Sequence, residues 1–150
     1  MTATDGLEVG FTEVLYGVVV ANGIYQLSLD VSLRTVMLLF ALVVILGDWV
    51  EYQVSVEKIP DTARNYALAF VLDVVILVVW YYLTIVPSSE LPLFFGFLAA
   101  FFFLQAVWDA LLLQLPALQL LQRGHVHLVA VFIFLGAAAD VLGQFQLTLL

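Results

Sequence analysis

The chain has 150 residues, 65% of them hydrophobic and only 11% charged, with a mean hydropathy of +1.15. A soluble domain has roughly 45–50% apolar and about 25% charged residues, so this excess is too large for a soluble core to hide and the composition reads as an integral membrane protein. The absence of cysteine excludes disulfides, thiolate metal sites and cysteine nucleophiles, and a net charge of −8 argues against nucleic acid as a partner, which needs a basic patch.

A spanning helix needs about 18 or more apolar residues. Five segments come close to that length or pass it, at residues 9–29, 35–56, 66–86, 92–115 and 126–149. Short polar or proline-bearing loops separate them, and no soluble domain fits in the remainder. The predicted fold is an all-α bundle of five transmembrane helices, a single domain over 1–150. The first ten residues have no basic region, and no small-residue cleavage motif ends a short apolar core, so the first segment is expected to be a retained helix.

The four Lys and Arg orient the bundle. Arg34 follows helix one, Lys58 and Arg64 follow helix two, "VPSSELP" after helix three has none, and Arg123 precedes helix five. Lys and Arg concentrate on the cytoplasmic side, which predicts a cytoplasmic N-terminus and a multi-pass protein of the cell membrane.

Taken in chain order, the helices carry acids at depth. On helix one, "FTEVLYGVVV" (11–20) puts Glu13 at a shallow position on the inner side. Helix two runs inward from Thr35, and Asp48 lies about 20 Å along it, past the midplane of a core about 30 Å thick. Asp48, Glu51, Tyr52 and Ser55 share one stripe of that helix, which is unfavourable against lipid and should face other helices or a water-filled cavity. Asp73 lies about 10 Å into helix three, and Asp109 about 25 Å along helix four. These four helices therefore bring acids to the inner half, while Asp140 on helix five falls on the outer half.

Aromatic and small residues follow the same order. Trp49, Trp80 and Trp108, with "WYYL" at 80–83, fit interfacial belts, against which a stacked ligand or pigment is the alternative. In "FFGFLAAFFF", Gly96, Ala99 and Ala100 allow a close helix approach, as do Gly136 and Ala137 to Ala139 near Asp140. "RGHVH" offers His125 and His127 as a weak metal half-site, set against the blander reading of two histidines at a helix start beside the headgroups. On a helix the two rings diverge by about 200°.

The acids have two readings. In one they form a cation or proton pathway. In the other they pair with Lys58, Arg64, Arg123 or the histidines, or stay protonated. The two weigh about evenly for Asp48 and Asp73, and the pairing reading is favoured for Glu13, Glu51 and Asp109. No phosphate-binding glycine loop, nucleophile elbow, zinc-protease helix or dinucleotide motif is present, so neither an enzyme nor a cofactor is expected.

"FTEVLYGVVVA" (11–21) resembles the first helix of the prokaryotic and lysosomal potassium channels that carry a Phe-Ser-Asp motif there. Phe11, Thr12 and Glu13 align with the motif, and Val18 falls where that resemblance implies a pore-lining residue. The likeness covers about one helix in five. It departs in Thr12 for Ser, Glu13 for Asp and Ala21 for Thr, and in a count of five helices where the family's repeat usually has six. The remainder is similar to uncharacterised small multi-pass membrane proteins.

The leading expectation is conduction of cations or protons through Asp48 and Asp73, with Glu13 and Asp109 at the inner vestibule and Glu51 a further pathway candidate. The alternative is a non-catalytic accessory or structural subunit of a larger membrane complex, whose acids meet a partner's cations. Beyond the lipid bilayer, the expected partners are further copies of the chain or larger membrane subunits.

Overall fold

In lipid no water satisfies backbone N–H and C=O groups, so a long apolar run closes its hydrogen bonds within itself as an α-helix. The computed structural model describes residues 3–27, 31–56, 66–86, 90–113, 119 and 124–148. Among these residues there are five helices and no strand: α1 (Ala3–Tyr25), α2 (Leu33–Val56), α3 (Tyr66–Ile85), α4 (Leu91–Leu112) and α5 (His125–Thr148). Four carry stretches long and apolar enough to cross a membrane, namely Leu33–Val54, Ala67–Ile85, Leu91–Leu112 and His125–Leu142. The apolar part of α1 is shorter, Phe11–Tyr25.

Helix one thus begins at Ala3 where the apolar run predicts residue 9, because polar residues do not stop backbone hydrogen bonding at a helix start. It ends at Tyr25, where the Gln26 N–H turns back onto the carbonyls of Asn22 and Gly23. The other starts have local causes. The Ser32 hydroxyl accepts from the Thr35 N–H at 3.2 Å and caps α2. Pro92 sits in the first turn of α4, where no N–H is required. Gly124, at φ +83°, takes the left-handed turn into α5 that other residues adopt only with strain.

α3 packs against α1, α2 and α4, α1 also touches α2, and α5 lies along α4 in the most extensive contact of the bundle. That seam is aromatic. Phe102 and Phe132 stack with centroids 5.5 Å apart, and Phe95 stacks on Phe132 at 6.3 Å. The close approach sits at Gly136, where a Cβ would lie 3.5 Å from Phe95 Cβ and from the Pro92 carbonyl. Gly96, expected to share this role, faces open space. With lipid as apolar as leucine, such small residues gain their contacts by letting backbones come together.

At Gly23, α1 meets α2 and α3. An added Cβ would lie 2.7 Å from Leu42 Cδ2 and 3.4 Å from Thr84 Cγ2. Beside it, Asn22 donates to the Thr84 hydroxyl at 2.9 Å. Gly23→Ala asks only that the end of the Leu42 side chain move. Gly23→Ile overpacks the seam and is expected to cost about 1–3 kcal/mol. Thermal unfolding in detergent checks this: the alanine variant should melt near wild type and the isoleucine variant below it. Equal midpoints for all three would mean that the helices are not held this close.

Candidate functional site

The ring contact of Phe11 with Phe70 and the hydrogen bond from Gln53 to Glu13 place the starts of α1 and α3 beside the end of α2. Helical side chains lean towards their own N-terminus. Tyr16 and Trp80 therefore lean one way along the bundle and Asp48 the other, and they meet. Asp48 is 7% exposed. It accepts from the Tyr16 hydroxyl at 2.7 Å, from Trp80 Nε1 at 3.1 Å and from Gln105 Nε2. The donors come from α1, α3 and α4, so one carboxylate ties four helices together. An apolar surround makes a buried carboxylate costly unless such donors satisfy it.

Asp73 is arranged in the same way. It is 8% exposed and accepts from Trp108 Nε1 at 3.1 Å and from the Tyr52 hydroxyl at 3.4 Å. Tyr52 is also hydrogen-bonded to the buried Thr12. Its ring lies 6.1 Å from Tyr16 and 6.3 Å from Trp108, so tyrosine and indole rings fill the space between the two aspartates.

A third carboxylate, Asp109, is 2% exposed. Its Oδ2 stands 3.2 Å from His125 Nδ1, and the opposite ring nitrogen of His125 stands 3.7 Å from Glu51 Oε2. The imidazole thus lies between one carboxylate of α4 and one of α2. A cleft of about 10 Å³, space for about one water, is lined by Asp73 and Asp109 but not by Asp48, two of whose donors reach it. Tyr16, Tyr52, Asp73, Gln105, Asp109 and Glu51 all face it.

The structure brings Asp48, Asp73, Asp109 and Glu51 together, with Glu51 at the exposed edge. Glu13 is exposed and holds Gln53 at 3.2 Å, outside the residues that line the cleft. Val18 is 56% exposed on the outer face of α1, so within one chain it lines no passage. Asp140 is exposed about 22 Å along α5 from His125. Lys58, Arg64, Arg123 and the Ser55 side chain, invoked in the pairing reading and the α2 stripe, lie outside the described residues.

His125 and His127 do not form a half-site. Both are in α5, with His125 buried and His127 exposed, because residues two apart on a helix point to different sides. No group of three or more His, Asp or Glu among the described residues is placed to hold a metal ion.

The belt assignment is corrected for two of the three tryptophans. Trp80 and Trp108 are buried and donate to Asp48 and Asp73, and only Trp49 is exposed. An indole N–H at depth needs an acceptor, and an in-turned carboxylate satisfies it as well as a headgroup does. Sequence reasoning also passed over Tyr16 and Gln105. The available signal was spacing: Gln105, Trp108 and Asp109 share one face of α4, and Asp73 and Trp80 lie seven residues apart on one face of α3.

No protein-family model, curated protein or solved structure matches this chain.

Proposed function

We propose that the chain is a multi-pass membrane protein that moves protons, with Asp48 as its deepest proton-carrying carboxylate. Asp73, Asp109 and His125 connect Asp48 to the end of the bundle where Glu51 is exposed. One observation supports this reading above the others: a single cleft is lined by two in-turned carboxylates, Asp73 and Asp109, by the exposed Glu51, and by Tyr16 and Gln105, which donate to Asp48. Hydroxyls, an imidazole and carboxylates at these separations can each accept a proton and pass it on through one water.

The donors favour protons over metal cations. Asp48 is met by a phenol O–H, an indole N–H and an amide N–H, each presenting its positive end. A potassium ion needs several oxygens in place of its hydration shell. A proton needs one acceptor. Past Asp48 the described residues hold no further buried acid: Val19, Ile45 and Leu83 are buried there and the polar contact is Asn22 with Thr84, so the row of acids opens to the Glu51 side. The distribution of Lys and Arg makes that side cytoplasmic. An accessory subunit using its acids to meet a partner's cations would carry them on its outer surface, whereas Asp48 and Asp73 are turned inward.

Purified protein in liposomes, under a pH gradient with an entrapped pH dye, tests the reading. Flux above empty liposomes is expected. Asp48→Asn should reduce it about ten-fold or more and Asp73→Asn less, since general acid–base groups contribute on the order of 10²–10⁴ in rate. Glu90→Gln, at the exposed start of α4, should leave it unchanged. Full flux through a folded Asp48→Asn protein would remove Asp48 from the pathway. A folded wild type without flux would move the assignment to the accessory subunit.

A further inference from the structure

α2 makes no close backbone approach to α4 or α5 among the described residues. Side chains bridge the gap at both ends, through the Phe40–Phe132 ring contact at 6.3 Å and the Glu51–His125 pair at 3.7 Å. Between them lies a cavity of about 330 Å³. Its wall includes Gly47, Asp48 and Glu51 of α2, Phe101 and Phe102 of α4, and His125 of α5. A cavity of about 150 Å³ admits benzene, so this one has room for an aromatic ring with a bulky substituent.

We propose that this cavity binds a small organic cation, an ammonium ion with an aromatic or branched substituent, entering at the exposed Glu51. The wall chemistry selects that class. Two phenyl rings, Phe101 and Phe102, line the wall and supply apolar surface for the substituent of a soft cation. An anion would meet the carboxylates of Asp48 and Glu51, with Asp109 behind His125, and these three acids outnumber the one imidazole even when it is charged. A neutral hydrocarbon would strip water from Glu51 without replacing its hydrogen bonds. His125 is itself nine-tenths buried, with Nδ1 3.2 Å from Asp109 Oδ2 and its other ring nitrogen 3.7 Å from Glu51 Oε2, so the one imidazole of the wall is already held between two carboxylates.

Gly47, exposed on α2, stands at the edge of this cavity. A Cβ at Gly47 would meet nothing within 4 Å. The residue lines the cavity in mid-helix, and a side chain there would fill the space without displacing a neighbour while favouring the helix. A large side chain at this position would narrow the cavity.

Binding is measured on the purified full chain in detergent without any ion gradient, so the outcome is independent of proton flux. The probe is benzyltrimethylammonium, followed by tryptophan fluorescence, because Trp80 packs on the cavity-lining Phe101 at 4.0 Å. Saturable binding is expected, and the neutral isostere neopentylbenzene should bind about ten-fold or more weakly. Gly47→Leu should weaken binding of the cation by a similar factor of about ten while leaving the unfolding midpoint at or above that of wild type. Glu51→Gln should weaken it about three-fold, as a charge at the rim does. Equal binding of the neutral isostere would identify a merely apolar space suited to lipid chains and overturn the proposal. So would wild-type affinity in Gly47→Leu, or no binding by the folded protein.

Discussion

Trp80→Ala is expected to cost about 3–5 kcal/mol, the usual loss for a buried aromatic ring. The side chain is 0% exposed, its ring packs on Phe101 at 4.0 Å, and its N–H is one of three donors to Asp48. Two effects are therefore combined, and Trp80→Phe separates them. Phenylalanine keeps most of the ring contact and removes the N–H. Hydrogen bonds between neutral groups in membranes average only about 0.6 kcal/mol. A donor to a charged carboxylate is worth more, about 1.5–3 kcal/mol. Unfolding in detergent should place Trp80→Phe in that range below wild type. In an Asp48→Asn background the same change should cost less, with a coupling on the order of 1 kcal/mol. If Trp80→Phe costs the same in both backgrounds, the indole N–H contributes nothing through Asp48, and the damage in Trp80→Ala is packing alone.

The Asp109–His125 pair carries the other large expectation. Removing one partner of a buried ion pair costs about 3–5 kcal/mol, because the remaining charge loses its counterpart in a low-dielectric site. His125→Phe should therefore destabilise strongly although a phenyl ring fits beside Phe102, whose centroid is 6.1 Å from the imidazole. Replacing both members with apolar residues of similar size is often neutral. The double variant Asp109→Leu with His125→Phe should recover at least half of the loss seen in His125→Phe alone. A double variant no better than the single one would show that His125 stabilises by its shape, or through Glu51 on its other side, and not through Asp109.

These two sites show different degrees of legibility. The inward direction of Asp48 and Asp73 was readable, because an acid deep in an apolar helix usually faces other helices and not lipid. The pairing of Asp109 with a histidine was readable as one option among several cations. The fate of the tryptophans was not. Trp80 lies near the far end of α3 by residue number, which matches a belt position, yet its ring leans back along the helix into the bundle and reaches a carboxylate of α2. Val18 misled in the opposite way, since its place in a short motif carried no information about which face of α1 turns inward.

Taken alone, the amino-acid order determined what depends on neighbours in the chain. Runs of apolar residues set the helices and their number, proline, serine and glycine marked where α2, α4 and α5 begin, and isolated acids marked the helices that must be covered. The tertiary structure decided which groups meet. Asp48 and its donors Tyr16 and Trp80 are each 32 residues apart, and Gln105 is 57 away, so their meeting depends on the rotation and axial offset of four separate helices. Those offsets come from packing, at Gly23 and Gly136 and along the Phe95–Phe132–Phe102 seam, and no local propensity encodes them. The gap between α2 and the α4–α5 pair has the same origin: it is space that no side chain fills, and it exists only once the helices are assembled.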